Sequence, residues 1–469
     1  MKKHWLLLFF TLCFVGFLSA QNNKILASDN LKAANMSLLI KDLNTGFVVF
    51  DYRPNKVAIP ASITKLVTTA TALELLGSDF CFQTKLEYSG TIDKDSVLNG
   101  NLYIHGGGDP TLGSKYLGDA DFMNKWVDAV KALGIKHIKG AIISDASLYN
   151  TEGISPRWSW EDMGNYYAAG AYALSVGDNT CTAYLKSGAV GTTPELLRTE
   201  PTIPNLKFNL FLKSTTIDAD SAYFYGAPFA NERSLYGAIP ANKAEFPVKA
   251  DIPNPPLFLA QLFTSALKHK GICVDSIAEV SFEAGQNRTA FYTQLSPPLK
   301  DIIKDINFRS NNHYAEHVFR YLALQEYPVA SSNGAIDVVK NFWKSKGLDV
   351  SAVFLYDGCG LAASDALSAD FFVDILNYMY TKSLNKDAFV ASLPIAGESG
   401  TVKKLLKGTR LEGKVHAKSG SISAVQCYAG YVDGKEHTYA FALMMNHYTG
   451  SRKEVVSQLE SILLSIPSH

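Results

Sequence analysis

The sequence predicts a mixed α/β protein: an antiparallel sheet flanked by helices, divided in the chain by a large insertion of several lobes. Three observations predict it. An apolar strand pair leads into a helix over residues 36–77. Three strands and an amphipathic helix close the chain over residues 415–466. Between them, from about residue 81 to 286, the texture changes to short strands separated by Pro, Gly and Asn turns. The two ends of the chain would then share one sheet, with the middle inserted. The expected division is a leader over 1–20, a discontinuous catalytic unit over 21–80 and 287–469, and an accessory region of two lobes over 81–286.

The chain has 469 residues, enough for two or three domains with a sizeable core. Hydrophobic content is 47% and charged content 19%, which excludes a disordered chain. Lys+Arg and Asp+Glu are both 44, so no basic excess points to nucleic acid. Lys2 and Lys3 precede an apolar run from Trp5 to Leu18, and Ser19-Ala20 follows. That pattern is a secretory leader, and the run is short of the roughly 20 residues a membrane span needs. The mature chain is therefore expected to be exported to the periplasm or cell envelope, with no transmembrane segment. Export permits disulfides, but the five mature cysteines (Cys81, Cys181, Cys273, Cys359, Cys427) are odd in number and contain no C-x-x-C. Most read as isolated buried thiols.

Taken in order, Met36–Asp42 and Phe47–Tyr52 form a hairpin about Leu43-Asn44-Thr45-Gly46. Pro60 opens a helix in which Leu66, Ala70, Leu73 and Leu76 recur at helical spacing, and Gly77 ends it. Phe82–Tyr88, Leu98–His105 and Ile138–Ser144 read as strands, and Ala120–Leu133 as an amphipathic helix. Trp158–Asn179 is rich in aromatics with little periodicity: core packing under a loop, or the lining of a groove. Pro201–Pro255 suggests a small β-rich lobe, followed by a helix over Pro256–Lys270. Helices return at Leu299–Asn307, His313–Leu324, Ala335–Ser345 and Ala369–Tyr380. Val415–Ser421, Cys427–Val432 and His437–Asn446 are strands, with Asp433-Gly434 turning between the last two. Ser451–Ile466 is the closing helix.

The chemistry is carried by three short motifs. Ser62-x-x-Lys65 sits in the first turn of a helix, so both side chains share one face. A serine needs a base, and a lysine serves only when burial or a second cation holds it neutral. Ser310-Asn311-Asn312 lies at a break between two helices, and Lys418-Ser419-Gly420 on a strand followed by a hairpin. Each motif has decoys: S-x-x-K at Ser265 and Ser383, S-x-N at Ser28 and Ser331, and K-S-G at Lys186. Context separates them.

The three motifs in this order match the pattern of penicillin-recognising serine acyl-transferases. The chain resembles the D-alanyl-D-alanine carboxypeptidase/endopeptidase family, the class C low-molecular-mass penicillin-binding proteins. The interval of 248 positions from Ser62 to Ser310 matches that family's inserted domains. So do Gly106–Leu112, Ser175–Asn179, Asp357–Leu361 and Leu393–Gly397, although Cys359 and Ser419 stand where the family commonly has serine and threonine. The resemblance implies the penicillin-recognising fold and hydrolysis of peptidoglycan stem peptides ending in D-Ala-D-Ala, with β-lactams as inhibitors. It implies Ser62 as nucleophile and Lys65 as base. Ser310 would relay the proton, and Asn312 would orient Lys65 and the substrate. Lys418, Ser419, Gly420 and Ser421 would bind substrate, the Ser62 and Ser421 N–H groups forming the oxyanion hole. No cofactor or metal is implied.

Rivals are explicit. His313-Tyr314-Ala315-Glu316-His317 spells H-x-x-E-H, a zinc-peptidase pattern; its bland reading is a helix with polar residues on its exposed side. A binder of wall peptides or β-lactams without turnover is another reading, and a β-lactamase a third. The long insertion argues for a polymeric substrate.

Overall fold

A computed structural model describes residues 26–285 and 287–467; the expected leader over 1–20 lies outside the described residues. Strands β1 (Asn35–Asp42) and β2 (Val48–Tyr52) form the N-terminal hairpin. Far along the chain, β3 (Val415–Ile422), β4 (Val425–Asp433) and β5 (Thr438–Asn446) pair antiparallel. β5 also pairs with β1, with Leu38 opposite Leu443 and Ile40 opposite Phe441. The two ends of the chain thus build one five-stranded sheet in the order β2-β1-β5-β4-β3.

Both faces of this sheet are covered, which is why β5 reads as an unbroken apolar run from Tyr439 to Met445. Phe441, Leu443 and Met445 pack with Leu38, Ile40 and the C-terminal helix Arg452–Leu463. Ala440, Ala442 and Met444 face the opposite core, built from the remaining helices.

At the centre of that core lies α1 (Thr64–Leu76), entered through a single 3-10 turn, Ala61–Ile63. Every α1 residue from Thr64 to Leu73 is buried. A helix buried all round can keep polar side chains only where they find partners. Thr69 and Thr71 donate to the carbonyls of Lys65 and Val67, both at 2.7 Å, and Thr68 donates to Gly358 O at 2.7 Å. α2 (Leu299–Arg309) and α3 (Asn312–Tyr321) pack against α1.

The inserted region has a separate core that includes Leu86, Ile104, Trp126, Ile142 and Phe263. Its main sheet runs in the order Glu279–Ser281, Ile142–Asp145, Leu102–His105, Gln83–Tyr88, Thr289–Leu295. Two sequence expectations change here. Leu98–His105 and Ile138–Ser144 each split into two short strands, because at Gly100 and Gly140 the chain crosses from a four-stranded sheet to this one. Thr289–Leu295 pairs antiparallel with Gln83–Tyr88, so the sheet continues past residue 286 and the chain leaves the insert beside its entry strand. A bulge between Ala290 and Tyr292 disturbs the alternation that would have revealed this strand.

The sheet also positions the turn that carries Ser62. The amide of Asn446, at the end of β5, accepts from Ile59 N at 2.5 Å and donates to Ile59 O at 3.0 Å. Asn446 is fully buried. Replacing it with alanine leaves Ile59 N unpaired, at about 1–3 kcal/mol, and leaves Ile59 O the Cys427 thiol at 3.4 Å. Asn446→Ala should lower the urea midpoint without changing the slope of the transition.

Candidate active site

Ser62 sits in the turn ahead of α1, after Ala61, whose φ is +47°. Two glycines bring other segments against this turn. A Cβ at Gly420 of β3 would lie 2.5 Å from Pro60 O and 3.0 Å from Ser62 N. One at Gly360 would lie 1.9 Å from Ala61 O. Only glycine permits backbone to approach so closely on both sides.

Lys65 is wholly buried one helical turn below Ser62. Its Nζ lies 3.0 Å from Ser62 Oγ, 2.6 Å from Asn312 Oδ1 and 2.6 Å from Cys359 O. A neutral amine fits this set: it donates to the two carbonyl oxygens and accepts from the serine hydroxyl. Burial lowers the Lys65 pKa below the ordinary lysine value, against the pull of Cys359, Asp357 and Glu316.

α2 ends at Ser310, which takes the left-handed conformation (φ +60°, ψ +41°). Asn311 then caps α3, accepting from Tyr314 N at 3.1 Å and donating to Asp305 Oδ2 at 2.9 Å. This sharp turn aims Ser310 and Asn312 at the cleft. Asn312 Nδ2 donates to Tyr167 O at 2.8 Å, which fixes its Oδ1 toward Lys65. Lys418, also wholly buried, donates to Ser310 Oγ at 2.9 Å and Ser419 O at 2.7 Å. Its pKa is driven far down by burial and by the charge of Lys65. Ser419 Oγ donates to Thr401 Oγ1 at 2.8 Å, and Ser421 follows on the same edge strand, β3. The two Nζ groups thus gather two sets, Lys65 with Ser62 and Asn312 and Lys418 with Ser310, with Ser419, Gly420 and Ser421 alongside.

Sequence reading missed Asp357. Its Oδ1 accepts from Cys359 N and Gly360 N at 3.2 and 2.6 Å. Its Oδ2 accepts from Leu361 N, Ala362 N and Trp158 Nε1 at 3.0, 2.7 and 2.7 Å. Five N–H donors on one carboxylate shape the loop whose Cys359 carbonyl meets Lys65. The D-G-x-G spelling, with a carboxylate beside two glycines, was the available signal.

The helix carrying H-x-x-E-H does not expose its polar side. His313, Glu316, His317 and Arg320 are all buried, because the insert covers them. His317 Nδ1 contacts Gly108 O at 3.0 Å and its Nε2 contacts Ser175 Oγ at 2.8 Å. Glu316 turns the other way and accepts from Gly358 N at 2.8 Å. With both nitrogens of His317 engaged, the set does not converge as zinc ligands. Burial pushes the Glu316 carboxyl up to about 8, with Asp357 adding to it. Glu316, Asp357 and Cys359 have ligand atoms within 4.8 Å of one another, but backbone N–H groups already occupy these carboxylates. All five cysteines among the described residues are free thiols.

A cavity of about 250 Å³ adjoins Ser310 and Asn312, lined among others by Tyr116, Tyr166, Tyr167, Lys249 and Arg309. No helix among the described residues is long and apolar enough to cross a membrane.

The sequence pattern of the D-Ala-D-Ala carboxypeptidase 3 (S13) family matches residues 18–465. The chain is 27% identical over 458 residues to a D-alanyl-D-alanine carboxypeptidase from Actinomadura sp., covering 94% of this chain and 83% of the relative. It is 25% identical over 430 residues to the D-alanyl-D-alanine carboxypeptidase DacB of Haemophilus influenzae, covering 89% and 86%. The crystal structure of penicillin binding protein 4 (dacB) from Haemophilus influenzae superposes with a TM-score of 0.81 at 23% identity, over 92% of this chain and 96% of that one. The fold is therefore the penicillin-recognising one.

Asp357→Asn keeps the shape but turns a donor group toward N–H donors. It is expected to cost about 3–5 kcal/mol, as breaking a buried charge network does. Thermal unfolding followed by tryptophan fluorescence, to which Trp158 contributes, checks this.

Proposed function

We propose a mechanism for this chain, which belongs to the D-Ala-D-Ala carboxypeptidase 3 (S13) family, from the contacts of its two buried lysines. It is a serine-type D-Ala-D-Ala carboxypeptidase, a peptidase of the penicillin-binding class. The substrate we assign is a peptidoglycan stem peptide ending in D-Ala-D-Ala. Neutral Lys65 takes the proton of Ser62, whose Oγ attacks the carbonyl between the two terminal D-alanines. The tetrahedral oxyanion rests on the N–H groups of Ser62 and Ser421, a contribution of about 3–4 kcal/mol per donor in related chemistry. Ser310, held by Lys418, passes a proton to the leaving amine as the C–N bond breaks and D-alanine departs. Lys418 and Ser419 hold the terminal carboxylate, and Gly420 lets β3 lie against the Ser62 turn. Water then hydrolyses the acyl-enzyme. The basic cavity beside Ser310, with Lys249 and Arg309, receives the rest of the stem peptide. β-Lactams act as inhibitors by acylating Ser62, and the protein works outside the cytoplasm. Residues 81 to about 295 are the accessory region.

The observation that carries this reading is the 3.0 Å contact between Lys65 Nζ and Ser62 Oγ, with Asn312 and Cys359 O taking the other two positions. Ser62→Ala should abolish both covalent labelling by a fluorescent penicillin and D-alanine release from a pentapeptide. Stoichiometric labelling of that variant would refute the role of Ser62.

The pH dependence follows from Lys65. Its neutral form is the reactive one, so acylation rises with pH through its pKa and then levels. Because that pKa is depressed, the plateau is reached below the ordinary lysine value of 10.5. Burial holds that pKa down, so Lys418→Met, which leaves Lys65 enclosed, should keep the rising limb in place. Stopped-flow acylation across pH measures it, and a limb moved to higher pH would show that Lys418 carries charge while Lys65 titrates.

A further inference from the structure

On the inserted region, the solvent face of a small sheet is lined with aromatic rings. The strands lie in the order Lys207–Leu210, Glu232–Tyr236, Tyr223–Tyr225. Phe224, Arg233 and Leu235 are buried beneath it. The alternation of the strands turns Tyr223, Tyr225, Ser234 and Tyr236 outward. Tyr223 lies opposite Tyr236, ring on ring at 6.0 Å, and Phe211 stacks on Tyr236 at 4.9 Å. Tyr225 meets Tyr223 at 5.3 Å and Trp160 at 5.6 Å. Phe211, Tyr236, Tyr223, Tyr225 and Trp160 thus form a continuous ribbon whose ends are exposed, Phe211 by 55% and Trp160 by 58%. Isolated exposed aromatics need no explanation; a contiguous row marks a binding surface.

The ribbon is tied to the cleft through one segment. Asn165 accepts from Phe224 N at 2.9 Å and donates to Phe224 O at 3.1 Å, pinning the sheet to the 160–167 segment. Two residues on, Tyr167 O holds the Asn312 amide at 2.8 Å. The composition selects the occupant. Tyrosine and tryptophan offer electron-rich faces for the C–H faces of sugars and polar edges for their hydroxyls. They are rigid, so little conformational entropy is lost on binding.

We propose that this ribbon is a glycan-binding site for the N-acetylated amino-sugar strand on which stem peptides are carried. The proposal rests on the substrate reading given above. Strand binding would present successive stem peptides to the cleft.

The test uses the mature chain with its Trp160→Ala and Tyr236→Ala variants. Peptide-free glycan strands are titrated calorimetrically, and hydrolysis of a sugar-free pentapeptide is measured in parallel. Wild type should bind the strands, and each variant should bind about tenfold more weakly, as loss of an aromatic anchor does, with pentapeptide hydrolysis retained. Strand binding that is absent in wild type, or equal in all three, overturns the site. A variant that converts a dimer to a monomer in sedimentation while binding strands normally also overturns it, in favour of self-association. The pentapeptide contains no sugar, so failure of the proposed reaction shows in that assay and failure of the glycan site in the titration.

Discussion

The structure depends on keeping two lysine side chains out of water at the base of one cleft. Burying an ammonium costs several kcal/mol even after relaxation. Among the described residues neither lysine has a direct carboxylate partner; their hydrogen bonds go to Ser62, Asn312, Cys359 O, Ser310 and Ser419 O. Such neutral partners tolerate an amine as well as an ammonium, so the cost of burial is expressed as a lowered pKa. A carboxylate pair would have locked the charged form. Glu316 and Asp357 stand behind the loop that contacts Lys65, and their own oxygens are directed to backbone N–H groups instead.

That requirement accounts for much of the surrounding architecture. α1 is buried on all sides because Lys65 must be, and its threonines are satisfied within the helix or by the Gly358 carbonyl. The nucleophile turn is gripped by Asn446 from the sheet and crowded by two glycines from β3 and the Asp357 loop. The insert is no loosely tethered lobe. It seals the far side of α3 through Gly108 O, Ser175 and the Tyr149 hydroxyl, which donates to His317 O at 2.9 Å. Trp158 reaches from the insert to Asp357, and the Tyr167 carbonyl to Asn312. The insert therefore helps to shape the cleft.

Several segments whose spelling suggested the family resolve into packing roles. Asn179 donates to Gly170 O and Ser175 Oγ, and Ser175 in turn meets His317. Pro394 O accepts from Ala417 N, fixing the start of β3. The decoys separate on the same grounds: Ser331 caps a helix by accepting from Gly334 N, and Lys186 is the exposed last residue of a strand whose other side chains are buried or half-buried. H-x-x-E-H misleads because periodicity tells which residues share a helical face but not what covers that face. The short helix Lys386–Ser392 went unread because seven residues span too few turns to establish a period.

The order of the three motifs, the spacing of Ser62 and Lys65 on one helical turn, the apolar runs of β1 and β5 and the inserted middle are properties of local chain geometry. Residue types and their period determine them, so they are legible without coordinates. The distance-dependent facts are of another kind. That Asn312 and a backbone carbonyl at Cys359 meet one amine, that five N–H donors converge on Asp357, and that five rings from two strands and two loops form one ribbon depend on segments up to 294 residues apart. No local pattern encodes such meetings. They arise because closing the sheet between β1 and β5 and burying α1 leave each segment a single place to lie.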